Sequence, residues 1–139
     1  MGQIFNSESI GKERKYLTRA IAVAIRVLAK QKDAEEDTCD LVVFIIYSLE
    51  RLAALIEMTV APWEKRDYWV KADRFRMEWD WTNVYAKKLR NFLNGDRWDE
   101  IALTIAEISV KFSNLKISEN NRIGTPWSGC WHIFKNERN

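Results

Sequence analysis

The chain has 139 residues, 47% hydrophobic and 30% charged, a composition that predicts a single domain over residues 1–139 and excludes a largely disordered protein. A formal net charge of +2 excludes a strong global field, so binding to nucleic acid or membranes would have to depend on a local patch. Two cysteines, Cys39 and Cys130, are too few for a disulfide framework and lack metal-ligand spacing, which favours a reducing cytoplasm.

The N-terminal residues give no signal for export or lipid attachment. They contain no apolar run of signal-peptide length, and Asn6 stands where a myristoylation motif needs Ser or Thr. The most apolar run, residues 41–49, is about half the length that a membrane-spanning helix requires. We therefore expect a cytoplasmic protein without a membrane anchor.

A first helix is predicted over about residues 8–31. Its buried face is defined by apolar residues at helical spacing, Leu17, Ile21, Ala24 and Leu28. The opposite face carries basic residues within about 60° of one another, namely Lys12, Lys15, Arg19, Arg26 and Lys30. This basic stripe is a candidate site for an anionic surface, either nucleic acid or lipid, although amphipathic helices often carry such residues toward solvent.

A second helix is predicted over about residues 34–60. Asp33 is its candidate N-cap, with Glu36 three residues later as in a capping box. The helix is apolar almost all round near its middle, so we expect it to be the most buried. Pro62 suits the first turn of a following helix, and Ala61-Pro62 is therefore the predicted break.

A third helix, residues 62–93, contains four of the seven tryptophans and has two apolar faces. One face is a heptad seam that includes Phe75 and Trp79, with Tyr68 at its start. The second face consists of Trp63, Val70, Met77, Trp81 and Val84, which we call the ridge. Because such an apolar patch is unusual on a monomer, we expect the chain's own C-terminal segment, a second copy or another protein to cover it. A homodimer is favoured, since symmetric pairing is the commonest oligomeric arrangement.

Gly95 is the predicted C-cap of the third helix, and Asp96 the N-cap of a fourth that reaches about residue 117. Four helices with short connections predict an all-α fold, an antiparallel up-down-up-down four-helix bundle over residues 8–117. Residues 118–139 lack a helical period but retain large apolar groups, including Trp127 and Trp131. They predict an ordered, largely non-helical C-terminal segment docked on the bundle or on a partner, and both tryptophans are candidate interface residues.

Acidic residues at two helix starts suggest an alternative, enzymatic function. In an up-down bundle the second and fourth helices begin at the same end, which brings together Glu35, Glu36, Asp37, Asp40, Asp96, Asp99 and Glu100. Such carboxylates can bind Mg²⁺ for hydrolysis of a phosphoanhydride, although acids in a first helical turn are also favoured by the helix dipole. The stretch "EEDTCD" resembles a metal-binding helix of all-α nucleotide pyrophosphohydrolases, with Cys39 in place of the third glutamate.

The sequence contains no catalytic triad, phosphate-binding loop, zinc-protease or di-iron motif, and His132 is the sole histidine. We therefore predict no metal site, cofactor or catalytic residue. The favoured function is a non-enzymatic interaction or regulatory module that acts through protein–protein contacts, as a homodimer or with an unidentified protein partner. Metal-dependent nucleotide hydrolysis and binding of nucleic acid or an anionic membrane through the first helix are the alternatives.

Overall fold

The computed structural model describes residues 7–32 and 35–138, which are mostly helical and contain no β-strand. The predicted all-α class is confirmed. Within this part of the chain, no helix has the length and hydropathy needed to span a membrane. The helices are α1 (Ser7–Leu28), α2 (Glu36–Lys65), α3 (Trp69–Trp79), α4 (Trp81–Asn94), α5 (Trp98–Val110) and α6 (Cys130–Arg138).

α2 occupies the centre of the fold, where it packs against α1, α3, α4 and α6. Every side chain from Thr38 to Ile46 is buried, and Leu49, Leu52 and Leu55 continue the core toward the end of the helix. A helix that is apolar all round must have neighbours on every side, which explains this central position. α5 completes the core through contacts with α4 and α1.

α1 packs on α2 through its predicted apolar face. Leu17, Ile21 and Ala24 are buried, while Leu28 is half-buried near the end of the helix. An ion pair also joins the two helices, since Arg51 donates two hydrogen bonds to the carboxylate of Glu13 at 2.6 and 3.0 Å. These bonds from Arg51 lower the pKa of Glu13.

The start and end of α2 differ from the prediction. Asp33 lies outside the described residues, and the N-cap position is occupied by Glu35, whose side chain makes no capping hydrogen bond. The predicted break at Pro62 is wrong, because α2 continues through Pro62 to Lys65 and ends in a turn with Asp67 at a positive φ of 63°. A proline inside a helix removes one backbone hydrogen bond. Packing of the following Trp63 on Phe75 of α3 offsets this loss.

The predicted third helix is two helices, α3 and α4, which is a second correction. They are separated at Asp80, although the backbone of that residue remains helical. The hydroxyl of Thr82 donates a 2.7 Å hydrogen bond to the carbonyl of Trp79. Threonine side chains that bond the backbone of the preceding turn often bend a helix, which accounts for the interruption here.

The connection between α4 and α5 also differs in detail. Gly95 is the C-cap of α4 as predicted, but Asp96 rather than Gly95 adopts the left-handed conformation, with a φ of 56°. Asp96 is not the N-cap of α5, because that position belongs to Arg97 and the Asp96 carboxylate accepts a hydrogen bond from the indole of Trp98. α5 ends at Val110, seven residues before the predicted end at residue 117.

The prediction of a largely non-helical C-terminal segment is wrong for its second half, since residues 130–138 form α6. The first turn of this helix is capped by Asp40 of α2. Its carboxylate accepts hydrogen bonds from the backbone N–H of Trp131 at 2.7 Å and of Gly129 at 3.3 Å. Carboxylates are good acceptors for the unpaired N–H groups at a helix start, and a partner about ninety residues away leaves no local sequence pattern.

A second set of contacts joins α6 to α2 and α4 through Arg90. Its guanidinium donates two hydrogen bonds of 2.9 Å to Glu50 and one of 2.5 Å to Glu137. The hydroxyl of Tyr47 donates to the other Glu137 oxygen at 2.6 Å. Phe134 is fully buried beneath this network, with the Arg90 guanidinium 5.3 Å from its ring centre.

Candidate interaction surfaces

The structure separates the residues of the ridge into two groups. Val70 and Met77 on α3 are 66% and 78% exposed, and Val84 on α4 is 42% exposed. Trp63 and Trp81 are half-buried. Exposed apolar side chains therefore remain on α3, but they are fewer than the sequence predicts.

Trp63 and Trp81 belong to a row of aromatic rings that crosses α2, α3, α4 and the residues after α5. Trp63 meets Phe75 edge to face at 5.4 Å, and Phe75 lies 6.4 Å from Trp79. Trp79 stacks on Trp81 at 6.0 Å, and Trp81 meets Phe112 edge to face at 5.8 Å. Such pairs stabilise the fold beyond the area that they bury, so these tryptophans have an intramolecular role.

Sequence periodicity missed two exposed aromatic residues next to the ridge. Trp69 is 54% exposed at the start of α3, and Tyr68, which was predicted in the buried seam, is 52% exposed. Position 69 falls between the two predicted faces of the helix, so spacing assigns it to neither. Tyr68 is exposed because it lies in the turn before α3 rather than in a continuous helix.

Much of the charge near α3 is already paired within the chain. Arg76 donates hydrogen bonds to Glu64 at 2.6 and 3.0 Å and to Glu57, which links α3 to α2. The bonds to Glu64 are the largest cause of a raised pKa of Arg76, and they lower the pKa of Glu64 in turn. Asp73, three residues before Arg76 on the same helix, lies 3.8 Å from its guanidinium.

The two C-terminal tryptophans lie on α2 rather than on the ridge. Trp127 is buried and meets Phe44 edge to face at 6.2 Å, while Trp131 stacks on Phe134 at 5.9 Å. Since α6 packs on α2 and Met77 remains exposed, the C-terminal segment does not cover the ridge. Intramolecular cover, one of the alternatives for this surface, is therefore wrong for the α3 part of it.

The acidic helix starts come together only in part. Glu35, Glu36 and Asp96 line one cleft with Lys135, but Asp40 is buried and its carboxylate binds the start of α6. The remaining acids are solvent-facing or paired: Asp37 and Asp99 are exposed, and Glu100 pairs with Arg97. Across residues 7–32 and 35–138, no three or more His, Cys, Asp or Glu side chains are arranged to bind a metal ion.

Cys39 and Cys130 are buried free thiols, and burial raises the pKa of each. A raised thiol pKa lowers the fraction of reactive thiolate at neutral pH. His132 is exposed on α6, where a ring nitrogen lies 3.3 Å from the Asn136 amide. These residues have packing and surface contacts, and their geometry does not form a nucleophile–base pair.

The basic stripe of α1 divides at its middle. Lys12, Lys15 and Arg19 line a cleft that is closed on the other side by residues 118–123. Arg26 is half-buried and donates a 2.9 Å hydrogen bond to the carbonyl of Ile117, while Lys30 is exposed beyond the cleft. The stripe is therefore not one continuous surface.

A groove of about 490 Å³ separates the second half of α1 from α5. Its walls are apolar, formed mainly by Ile25, Leu28, Val42, Trp98 and Ile105. The groove explains why Leu28 and Trp98 are only half-buried although they face the core.

Comparisons with known proteins give no relative for this arrangement. No protein-family model, curated protein or solved structure matches the chain.

Proposed function

We propose that the protein is a non-enzymatic interaction module that self-associates through the exposed face of α3. The observation that carries this proposal is the exposure of Val70, Met77 and Trp69 on a helix in which only Ala72 is buried. Removal of large apolar side chains from water is favourable, and clusters of exposed apolar residues are typical of contact surfaces. The paired charges of Arg76 fix α3 against α2, so the face is presented rigidly.

The arrangement of this face favours a second copy of the same chain. Val70 and Met77 are seven residues apart and lie on one side of α3, with Asp73 and Arg74 between them. In an antiparallel pair with its two-fold axis between positions 73 and 74, Val70 meets Met77 of the second copy and Asp73 meets Arg74. An isologous interface requires such self-complementarity of both apolar and charged residues.

The interface should be small. One face of an eleven-residue helix, even with Trp69 and Val84 at its edges, gives less area than the roughly 800 Å² per partner of a standard stable complex. We therefore expect a dimer that dissociates on dilution. Sedimentation equilibrium over a range of concentrations should show a reversible monomer–dimer exchange.

Met77→Glu tests this surface directly. An unpaired carboxylate buried against Val70 of the second copy should abolish the dimer without affecting the fold, because Met77 is 78% exposed in the single chain. Leu103→Glu is the matched control, since Leu103 is 66% exposed on α5, away from the ridge. Monomers at all concentrations of the unmodified chain, or equal loss of the dimer in the control, contradict the proposal.

Exchange of the charges at positions 73 and 74 tests the register of the two α3 helices in the proposed dimer. Asp73→Arg alone and Arg74→Asp alone each place like charges opposite one another and should weaken the dimer. The double variant restores opposite charges and should recover most of the affinity. If the losses of dimer affinity in the two single variants add in the double variant, this antiparallel pairing is excluded.

The wider arrangement that we propose is an antiparallel bundle of α1, α2, α3–α4 and α5, with an ordered C-terminal segment docked on it. Ion pairs between Glu13 and Arg51 and between Glu50 and Arg90 support antiparallel neighbours on both sides of α2. The two free thiols support the cytoplasmic location, since reduced cysteines are typical of that compartment.

Metal-dependent hydrolysis has weaker support than self-association. Asp40, the most buried of the predicted acidic residues, uses both carboxylate oxygens to bind backbone N–H groups of the α6 start. The resemblance to pyrophosphohydrolases depends on acids near this position. The geometry thus assigns Asp40 a structural role.

A further inference from the structure

A concave, positively charged cleft of about 610 Å³ lies between the first half of α1 and residues 118–123. Three of its cations come from α1, and the fourth is Arg122, which the sequence pattern does not connect with them. The helix provides Lys12, Lys15 and Arg19 on successive turns. Tyr16 and Ile123 add apolar surface, and Ser118 adds a hydroxyl group.

The loop that positions Arg122 is fixed by hydrogen bonds on both sides of it. Before it, the Arg26 guanidinium donates to the carbonyl of Ile117, and the Asn121 amide donates to the carbonyl of Ser118 at 3.0 Å. After it, the N–H of Ile123 donates to the Asn121 side chain at 3.0 Å. The backbone of Arg122 is thus placed opposite α1 before any ligand binds, which lowers the entropy cost of ordering the loop.

Among the described residues that line the cleft there is no carboxylate, although Glu119 belongs to the same loop. Lys12 is 3.3 Å from Glu8, in a pair that is highly exposed and therefore weak. Lys15, Arg19 and Arg122 form no ion pair with a carboxylate in the described part of the chain. Several cations around one concavity repel one another, so an anion with more than one negative charge would bind favourably there.

We propose that this cleft binds the phosphate or diphosphate group of a small molecule. Arginine matches the geometry of phosphate oxygens through paired N–H groups, and the cleft has one arginine on each wall. Tyr16 and Ile123 contact the uncharged part of the ligand. This site is separate from the α3 surface, and its failure would leave the self-association proposal intact.

The placement of the cations favours a compact ligand over an extended nucleic acid. A nucleic-acid surface needs cations spread along a backbone track. Here Arg26 is bound to the Ile117 carbonyl, and Lys30 lies in the turn after α1, outside the cleft. The positive charge is therefore concentrated at one end of α1.

Calorimetric titration of the full chain with pyrophosphate at constant ionic strength tests the site. We expect saturable one-to-one binding, and Arg19→Ala and Arg122→Ala should each weaken it about tenfold, the value of one charge-assisted hydrogen bond. Lys30→Ala, which removes one positive charge just after the end of α1 and outside the cleft, should leave the affinity unchanged. Unchanged thermal unfolding of each variant excludes loss of structure as the cause.

Two further ligands identify the source of the phosphate. Vesicles that contain a phosphatidylinositol phosphate present the group on a lipid, whereas ATP presents it on a soluble molecule, and binding of either with the same sensitivity to Arg122→Ala supports the site. Lack of saturable pyrophosphate binding at millimolar concentration overturns the proposal. An equal effect of Lys30→Ala, or stronger binding of single-stranded DNA with affinity that rises with its length, also overturns it.

Discussion

At the residue scale, two charged side chains determine where the C-terminal segment binds. The Asp40 carboxylate caps α6, and Arg90 joins Glu137 of α6 to Glu50 of α2. Asp40 is buried, and hydrogen bonds to a buried charged atom are stronger than in water. Sequence reasoning identified Asp40 as a possible metal ligand because an acidic residue near a helix start has the same pattern in either role.

Asp40→Asn should destabilise the protein by about 1–3 kcal/mol, because an amide has one oxygen and leaves one backbone N–H of α6 without its acceptor. Urea unfolding measures the loss, and hydrogen exchange at the Trp131 amide should accelerate. Asp37→Asn is the control, since Asp37 is exposed on the same helix. Equal stability of the two variants would show that the cap contributes nothing.

The attachment of α6 should depend on pH through Glu137. Hydrogen bonds from Tyr47 and then Arg90 lower the pKa of Glu137. A carboxyl group with a lowered folded-state pKa stabilises the fold above its ordinary pKa, and that contribution is lost as the pH falls through the lowered value.

We therefore expect exchange protection of α6 to fall as the pH drops below about 4.3, the ordinary pKa of glutamate. Glu137→Gln should show weaker protection at neutral pH and a smaller change on acidification. Other carboxylates with lowered pKa, such as Glu13, titrate in both chains and cancel in the comparison. Identical pH profiles for the two chains would contradict a role of this network.

At the scale of elements, apolar spacing predicted the helices well where packing alone determines them. α1 and α2 bury the predicted faces, and α2, predicted to be the most buried helix, has more buried residues than α1. Errors occur where a single side chain acts on the backbone. Thr82 bonds the Trp79 carbonyl where the third helix is interrupted, and Asp40 caps α6 from a distant position. A periodic pattern of apolar residues shows neither a side chain that bonds its own helix backbone nor a cap from a distant residue.

Truncation of a core residue on α2 should be costly. Leu49→Ala removes a fully buried side chain and should reduce the free energy of unfolding by about 2–5 kcal/mol. Leu103→Ala makes the same chemical change at an exposed site on α5 and should cost less than about 0.5 kcal/mol. Thermal or urea unfolding of the two variants checks the contrast, and similar values for both would contradict the central position of α2.

At the scale of the whole molecule, the sequence predicted that an apolar surface remains on the third helix but not how much of it. Opposite apolar faces follow from helical spacing, and Val70 and Met77 are exposed as that spacing allows. Trp63 and Trp81 are partly buried because the helical segments end near Asp67 and Asp80. Residue spacing does not predict these helix ends. Helical spacing places Lys12, Lys15 and Arg19 of the basic cleft on one face of α1, but it does not predict Arg122, which reaches the cleft through the path of a loop.

Removal of residues 118–139 distinguishes two apolar surfaces. One lies on α2 and is covered by the C-terminal segment, and the other is the exposed surface on α3. The shortened chain loses Trp127, Cys130 and Phe134 from the core and uncovers the side of α2 around Phe44. We expect a lower melting temperature, binding of an apolar dye, and association through α2. Met77→Glu should not prevent this association, because the uncovered surface lies on a different helix, whereas it should abolish dimers of the intact chain. Light scattering measures the molar mass of four samples, the intact and the shortened chain, each with and without Met77→Glu. A shortened Met77→Glu chain that stays monomeric and binds no dye would mean that the C-terminal segment protects no apolar surface.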